Sequence, residues 1–358
     1  MKTFTTAVFI LIAVIAFSGK TFSQNYDFFE PKVTVGGYGE LHYNYSKEES
    51  GKAKKILDFH RFVLFFGYAW TEKWSFKSEL ELEHNLVEEG QGELSLEQAY
   101  VNFHNADYLG FQAGVLLVSA GLINEYHEPP RFLGVERPDY AKYIIPTTWF
   151  GNGAGVYGIY RDFDYKIVVI EGLNSDKFTA GSGIRKGRQE GFKANAGTIL
   201  FNGRLDFTGF PGLRAGASFT YNNAQGDTTS NKINLAEFHA QYKAHGVYST
   251  FEFGNISYSS GNVSASRGFY AEIGYNVGKL FNVKSKIVPF VRYSDINTAA
   301  ETISGGSSEM EHHYTKWMAG LSFLPIDQVV FKIDYSRQKR ELGSVNTDLF
   351  NLGVGYWF

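Results

Sequence analysis

The residues between 119 and 152 concentrate ionisable side chains: Glu125, His127, Glu128, Arg131, Glu136, Arg137 and Asp139, with Lys142 behind them. Acids, guanidinium groups and an imidazole mixed this closely suit one task above others. Set across a narrow aqueous passage they make a transverse field, which orders water and screens solutes by charge and size. Pro129 and Pro130 fix the backbone between them, as a stiff constriction requires. The same side chains would also serve a loop lying over its neighbours with every charge solvated. Covalent chemistry finds less support. His127 beside Glu128, or His84 beside Asn85, could be parts of a hydrolase, but no serine sits in a Gly-x-Ser-x-Gly setting. The run GSGIRKGR at 181–188 lacks the Gly-Lys-Ser/Thr ending of a phosphate-binding loop. It belongs to a basic stretch, 172–195, that could draw anions or bind lipopolysaccharide phosphates. Glu309, Glu311, His312 and His313 lie together, but their spacing does not define a metal site. No enzyme activity, metal or cofactor is therefore expected.

The whole chain has 358 residues, a formal net charge of −3 and no cysteine. Disulfides, thiolate metal sites and thiol nucleophiles are excluded. The near-neutral balance argues against nucleic acid as a partner, since a binder would carry a basic stripe. The 39 Gly, 23 Tyr and 32 Phe against only 8 Pro suit a chain dominated by β-strands. Residues 1–23 read as a secretory signal peptide that is removed. Lys2 precedes an apolar run at 7–17 (AVFILIAVIAF), and Thr21 and Ser23 offer a small-residue exit before Gln24. That run is too short to span a membrane, and no later run reaches the length of a transmembrane helix. An exported chain then has one other route into a bilayer, a closed β-barrel, and 24–358 would form it as a single domain.

Alternation supports that route. Along 33–45, Val33, Val35, Gly37, Gly39, Leu41, Tyr43 and Tyr45 share one parity, and polar residues hold most of the other. Along 74–85, Trp74, Phe76, Leu80 and Leu82 face one way, and Lys77, Glu79, Glu81 and Glu83 the other. Three carboxylates on one face demand water or partners. Sixteen strands can be read: 33–46, 56–70, 74–85, 93–105, 109–118, 153–161, 164–171, 196–207, 212–223, 232–243, 246–258, 266–277, 284–294, 314–324, 328–339 and 348–358. They take more than half of the chain, too much for an ordinary globular domain but usual for an outer-membrane barrel. Connections after even-numbered strands are short and those after odd-numbered strands mostly longer, the pattern of periplasmic turns and extracellular loops. The predicted fold is therefore a transmembrane antiparallel β-barrel of about 16 strands, with 119–152 as the constriction loop. Lumen-wall residues follow from parity. Lys77, Arg204, Arg214, Lys284, Lys286, Arg292, Lys316 and Lys332 are the bases; Glu40, Glu79, Glu81, Glu83, Asp206, Glu237, Glu252, Glu272 and Asp334 are the acids. Lys284, Lys286 and Arg292 would form a basic ladder opposite an acidic one at Glu79, Glu81 and Glu83. His42, His60, His84 and His239 would line the lumen or its ends.

The stretches VGGYGELHYNY at 35–45, FHRFVLFF at 59–66, SFKSELELEH at 75–84 and LEQAYVNF at 96–103 resemble the outer-membrane porins of the Bacteroidetes type. These are similar to the family named for phosphate-selective porins O and P. The segment 121–155, with Glu-Pro-Pro-Arg at 128–131, fits the same picture, and beyond 170 only the architecture does until the C-terminus. The resemblance implies a water-filled channel for passive diffusion of small hydrophilic solutes, anions such as phosphate among them, in a Gram-negative outer membrane. The alternative is a structural or adhesive barrel with a blocked lumen. Expected partners are outer-membrane lipid and lipopolysaccharide, and barrel-assembly machinery reading the last strand, which ends at Phe358. Pores of this size often assemble as homotrimers, and the sequence does not mark which strands would meet.

Overall fold

The computed structural model describes residues 32–88, 91–303 and 310–358. The signal-peptide reading of 1–23 and Glu309 of the acidic-histidine cluster lie outside them. Sixteen antiparallel strands close into one barrel. They are β1 Lys32–Glu48, β2 Lys54–Ala69, β3 Trp74–Glu88, β4 Gln91–Ala106, β5 Leu109–Leu117, β6 Phe150–Tyr160, β7 Phe163–Glu171, β8 Ile199–Phe207, β9 Leu213–Gln225, β10 Ser230–Ala244, β11 Val247–Tyr258, β12 Val263–Tyr275, β13 Lys286–Thr302, β14 His313–Ile326, β15 Val329–Arg340 and β16 Asn346–Trp357. Each strand pairs with its sequence neighbours. The seam is β1 on β16, from Tyr38 opposite Trp357 to Glu48 opposite Thr347. Phe358 adds reciprocal backbone hydrogen bonds to Gly37 at 2.9 and 3.0 Å, so the sheet has no free edge. Among the described residues no helix is long and apolar enough to cross a membrane.

Side-chain parity sorts the wall into two faces. On β10, Phe238 is 56% exposed while its neighbours Glu237 and His239 are 1% and 3% exposed. The same alternation puts Phe201, Phe219, Phe251, Ile273, Val291, Trp317, Phe331 and Leu352 outside. An apolar band of this extent around a closed wall is the surface a lipid bilayer covers. Aromatic rings touch along it from β11 to β14: Phe251, Phe269, Tyr293 and Trp317, with the last pair 4.5 Å apart.

The end that holds Lys32 and Trp357 is crossed mostly by tight hairpins such as 107–108, 161–162, 245–246 and 327–328. His245 and Gly246 both take positive φ, as the mirror-image turns that match strand twist require. At the opposite end stand two long connections, 118–149 and 172–198. The strand edges differ from expectation in one instructive place. Residues 295–302, read from sequence as loop, continue β13, while Lys284 and Ser285 precede it. Asn297, Thr298 and Ala299 are all buried in succession, so alternation fails there. A shifted register with β12 around Ala265 accommodates them.

Candidate pore constriction

The 118–149 connection turns into the barrel and crosses it. Its backbone is fastened to the wall on opposite sides. Near one side, the Ser119 amide donates to Asn202 of β8 (3.0 Å) and the Leu122 amide to Glu252 of β11 (2.8 Å). Across the lumen, the Val135 amide donates to Asp334 of β15 (2.7 Å). The carbonyls of Leu133 and Gly134 accept from Ser322 of β14 (2.6 Å) and Lys332 of β15 (2.7 Å). Asn124 staples the two ends of the loop together. Its amide donates to the carbonyls of Val118 and Trp149 at 2.7 and 3.1 Å, and its oxygen accepts the Trp149 amide at 2.7 Å. Backbone groups carried into a lumen away from bulk water need such partners. Pro129 opens a 3-10 turn, Pro129–Arg131, and Tyr140–Tyr143 forms one helical turn, α1. Glycine on β16 makes room: a Cβ at Gly353 would stand 2.9 Å from Val135, and one at Gly355 would collide with Pro129.

One side of the lumen is dry. Ile144, Ile145 and Trp149 of the loop pack on inward residues Val168, Ile170, Leu200, Ile233, Leu235, Ile256 and Ile296. Leu173 and Ile184 of the 172–198 connection join them. Inward-facing side chains therefore do not all border open lumen. Parity fixes which face a residue takes; the loops decide whether that face is wet.

The ionisable residues gather on the rest of the cross-section, and pairing there is dense. Glu125 meets Lys166 (2.6 Å) and Arg204 (3.1 Å); Asp139 meets Lys316 (2.6 Å). Glu136 lies 2.9 Å from His42, and His127 lies 3.3 Å from Glu79 and 3.7 Å from Glu97. Glu128 and Arg131 pair at 2.7 Å toward the hairpin end, where Arg131 also lies over Tyr126 and Trp357. Arg137 differs: its Nε and one terminal nitrogen are buried with no hydrogen-bond partner.

On the wall, Glu79 and Glu81 are buried, and Glu83 is half-buried beside them. The opposed ladders, however, do not form. Lys284 is exposed ahead of β13, Lys286 reaches out to Asp327 (2.6 Å), and Arg292 is held by Glu272 (2.7 Å). Arg204 and Arg214 converge on Asp206 at 2.7 and 2.5 Å, and Lys77 is exposed near the hairpin end. Desolvated charges are tolerable when each meets its counter-ion, which favours local pairs over single-sign stripes. Sequence reading missed Arg61, which bridges Glu40 (2.6 Å) and Glu81 (3.1 Å) from neighbouring strands. Its one signal was a lone charge inside the aromatic run FHRFVLFF.

Two of the cavities meet at the inserted loop. One of about 460 Å³ opens on the long-loop side and is bounded by Arg61, His42, His60, Glu83, Glu136, Arg137, Lys142, Arg185 and Lys316, among others. One of about 200 Å³ lies toward the hairpins, bounded by Arg131, Phe132, Leu133, Lys243, Glu272 and Lys286, among others. Pro138 borders both, so the inserted loop is the partition between them.

The basic 172–198 connection clasps the inserted loop rather than waving free. Arg185 donates to the Thr147 carbonyl (2.7 Å), and Arg188 donates to the carbonyls of Pro146 (3.2 Å) and Thr148 while pairing with Glu190 (3.0 Å). Asp176 collects the 226–229 turn: it accepts from the amides of Asp227 (2.7 Å) and Thr229 (2.8 Å) and from the Thr229 hydroxyl (2.7 Å). The Thr229 hydroxyl, and then Thr228, hold its carboxyl well below the usual aspartate range.

No family model matches the sequence. A protein of Aquifex aeolicus (strain VF5), described only as uncharacterized, is 32% identical over 351 residues, covering 91% of this chain and 80% of that one. Among solved structures, the anion-selective porin from Comamonas acidovorans is similar with a TM-score of 0.62 at 12% identity, over 92% of this chain and all of that one (100%). Salmonella typhi OmpF, in a complex with daunomycin, has a TM-score of 0.62 at 11% identity, over 91% and 97% of the two chains. The outer membrane channel DcaP of Acinetobacter baumannii has 0.59 at 11% identity, over 95% and 100%. These likenesses carry the fold, a porin-type barrel. The chain belongs to one family with the Aquifex aeolicus protein.

Proposed function

We propose that the protein is an outer-membrane channel through which small hydrophilic solutes diffuse down their gradients, with a preference for anions. The observation that carries this reading is the wet side of the lumen: two cavities meeting at a loop segment whose charges are unevenly compensated. Arg61 and Lys316 are neutralised by carboxylates. Among the described residues, Arg137, Lys142 and Arg185 border the larger cavity without a carboxylate in ion-pair reach. Uncompensated cations in a narrow, low-dielectric passage favour anions. By the same reading residues 1–23 direct export and are removed, lipid and lipopolysaccharide surround the wall, and assembly machinery reads the strand that ends at Phe358. The test is planar-bilayer conductance under a salt gradient. The reversal potential should have the sign of anion preference, and Arg137→Ala should move it toward zero. A cation-signed potential in the parent protein overturns the charge preference.

The dry packing favours a second reading, a barrel whose lumen stays shut. Absence of any conductance in the parent protein supports that reading over the first.

A further inference from the structure

Two irregularities in adjacent strands bring histidines together at the rim of the larger cavity. Between β1 and β2 the register slips: Glu40 faces Arg61 and Leu41 faces Phe59, which leaves His60 as the extra residue. Between β3 and β4 regular pairing stops after Glu83, and His84 takes a φ of 61° there. By parity His84 would follow inward Glu83 to the lipid side. The left-handed backbone turns it to Asp58 instead. Asp58 thereby meets two imidazoles at once, His60 Nδ1 at 3.1 Å and His84 Nδ1 at 2.8 Å. The His60 ring stacks on His42 at 4.9 Å and lies 5.9 Å from His84.

We propose that Asp58, His60 and His84 form a binding site for a divalent transition-metal ion of the zinc, nickel and copper class. One donor atom from each lies within 4.8 Å of the other two. Two ligands about 2.0–2.1 Å from a tetrahedral ion stand roughly 3.3 Å apart, and the Asp58 oxygen lies 3.1 and 2.8 Å from the two imidazole nitrogens. Two imidazoles and one carboxylate suit these borderline ions and not calcium or magnesium, which take oxygen sets. Three protein ligands leave a fourth position for water, the form of an exchangeable site. Water can reach it, since the side chains of Asp58, His60 and His84 are 22%, 25% and 42% exposed. His60 also belongs to a second set with His42 and Glu136 of the inserted loop, and His42 is backed in turn by Glu40. An ion at the site is therefore one imidazole away from the constriction. The third such grouping, Glu79, Glu97 and His127, is closed off from water and lacks this access. The site does not depend on conduction.

The experiment is calorimetric titration of the refolded, metal-free barrel in detergent with zinc chloride. One ion per chain should bind, with affinity lowered about tenfold or more in His60→Gln and in His84→Gln. His104→Gln, at the hairpin end, should bind as the parent does, and calcium should give no heat. No zinc binding by the parent, or equal binding by the His60→Gln/His84→Gln double variant, overturns the proposal. Should the variants fail to refold, X-ray absorption of the nickel-loaded parent decides instead. Two imidazoles in the first shell support the site, and none or one overturns it.

Discussion

Arg204 shows what a charged residue does inside this wall. Its guanidinium bridges Asp206 and Glu125 and donates to the Gly121 carbonyl at 2.9 Å, so one side chain ties β8 to the inserted loop. Removing it leaves Glu125 to Lys166 and Asp206 to Arg214 and His239, and takes the Gly121 carbonyl's donor away. Arg204→Ala should lower unfolding free energy in detergent by about 1–3 kcal/mol, read from denaturant midpoints. Arg204→Lys should recover only part of this, because an ammonium cannot span both carboxylates as a planar fork does. Asp176 offers the opposite case, an exposed carboxylate held by amides and hydroxyls. Its depressed pKa means that the charged form is the one the folded loop binds. The stability it adds is present above the ordinary aspartate range and is lost as pH falls through its lower folded value. Amide exchange at Asp227–Thr229 should therefore stay slow from neutral pH to below pH ~4, then quicken. Asp176→Asn should show fast exchange already at neutral pH. Equal protection in the variant at neutral pH would sink this account.

The elements were more legible than the site. All sixteen strands can be found from alternation, because one face meets lipid and the other does not. Alternation cannot say what fills the interior. Ile233 and Leu235 share the inward face of β10 with Glu237 and His239, yet the first two are in the dry packing and the others in the ion-pair network. Nor can it place bulges, so His60 and His84 could be put near the lumen without their meeting at Asp58. Lys284 failed for a related reason: a 3-10 turn, Val277–Phe281, delays the start of β13 and takes Lys284 out of the strand face. The long charged stretch was visible as a loop with work to do, but its staple was not. Asn124 carries no charge and matches no motif, although it makes three hydrogen bonds that join the loop's ends. Asn124→Ala leaves the Trp149 amide unpaired, while the Val118 and Trp149 carbonyls still accept the Ala120 and Val118 amides (both 2.9 Å), so stability should fall by about 1–3 kcal/mol, the cost of one buried donor. Single-channel records should become noisier at the same time. An unchanged melting profile would mean that the loop is held by its apolar packing alone.

At the scale of the molecule the barrel is a partitioned cylinder. The apolar side holds the loop in place, and on the proposed reading the charged side sets which solutes pass. Because the two functions rest on different residues, they should separate under mutation. Trp149 is 1% exposed and packs within the apolar cluster, and it carries no charge of its own. Trp149→Ala should cost about 3–5 kcal/mol by the cavity it opens. It should also raise conductance as the loop loosens, while the reversal potential keeps its sign. Arg137→Ala should do the reverse: its guanidinium has two buried nitrogens without partners, so little bonding is lost, while the field across the passage changes. The partition predicts this crossed pattern. If both variants shift conductance and reversal potential together, or if Trp149→Ala destabilises the barrel with no change in conductance, then dry packing and passage are not separate and the loop is not the gate between the two cavities.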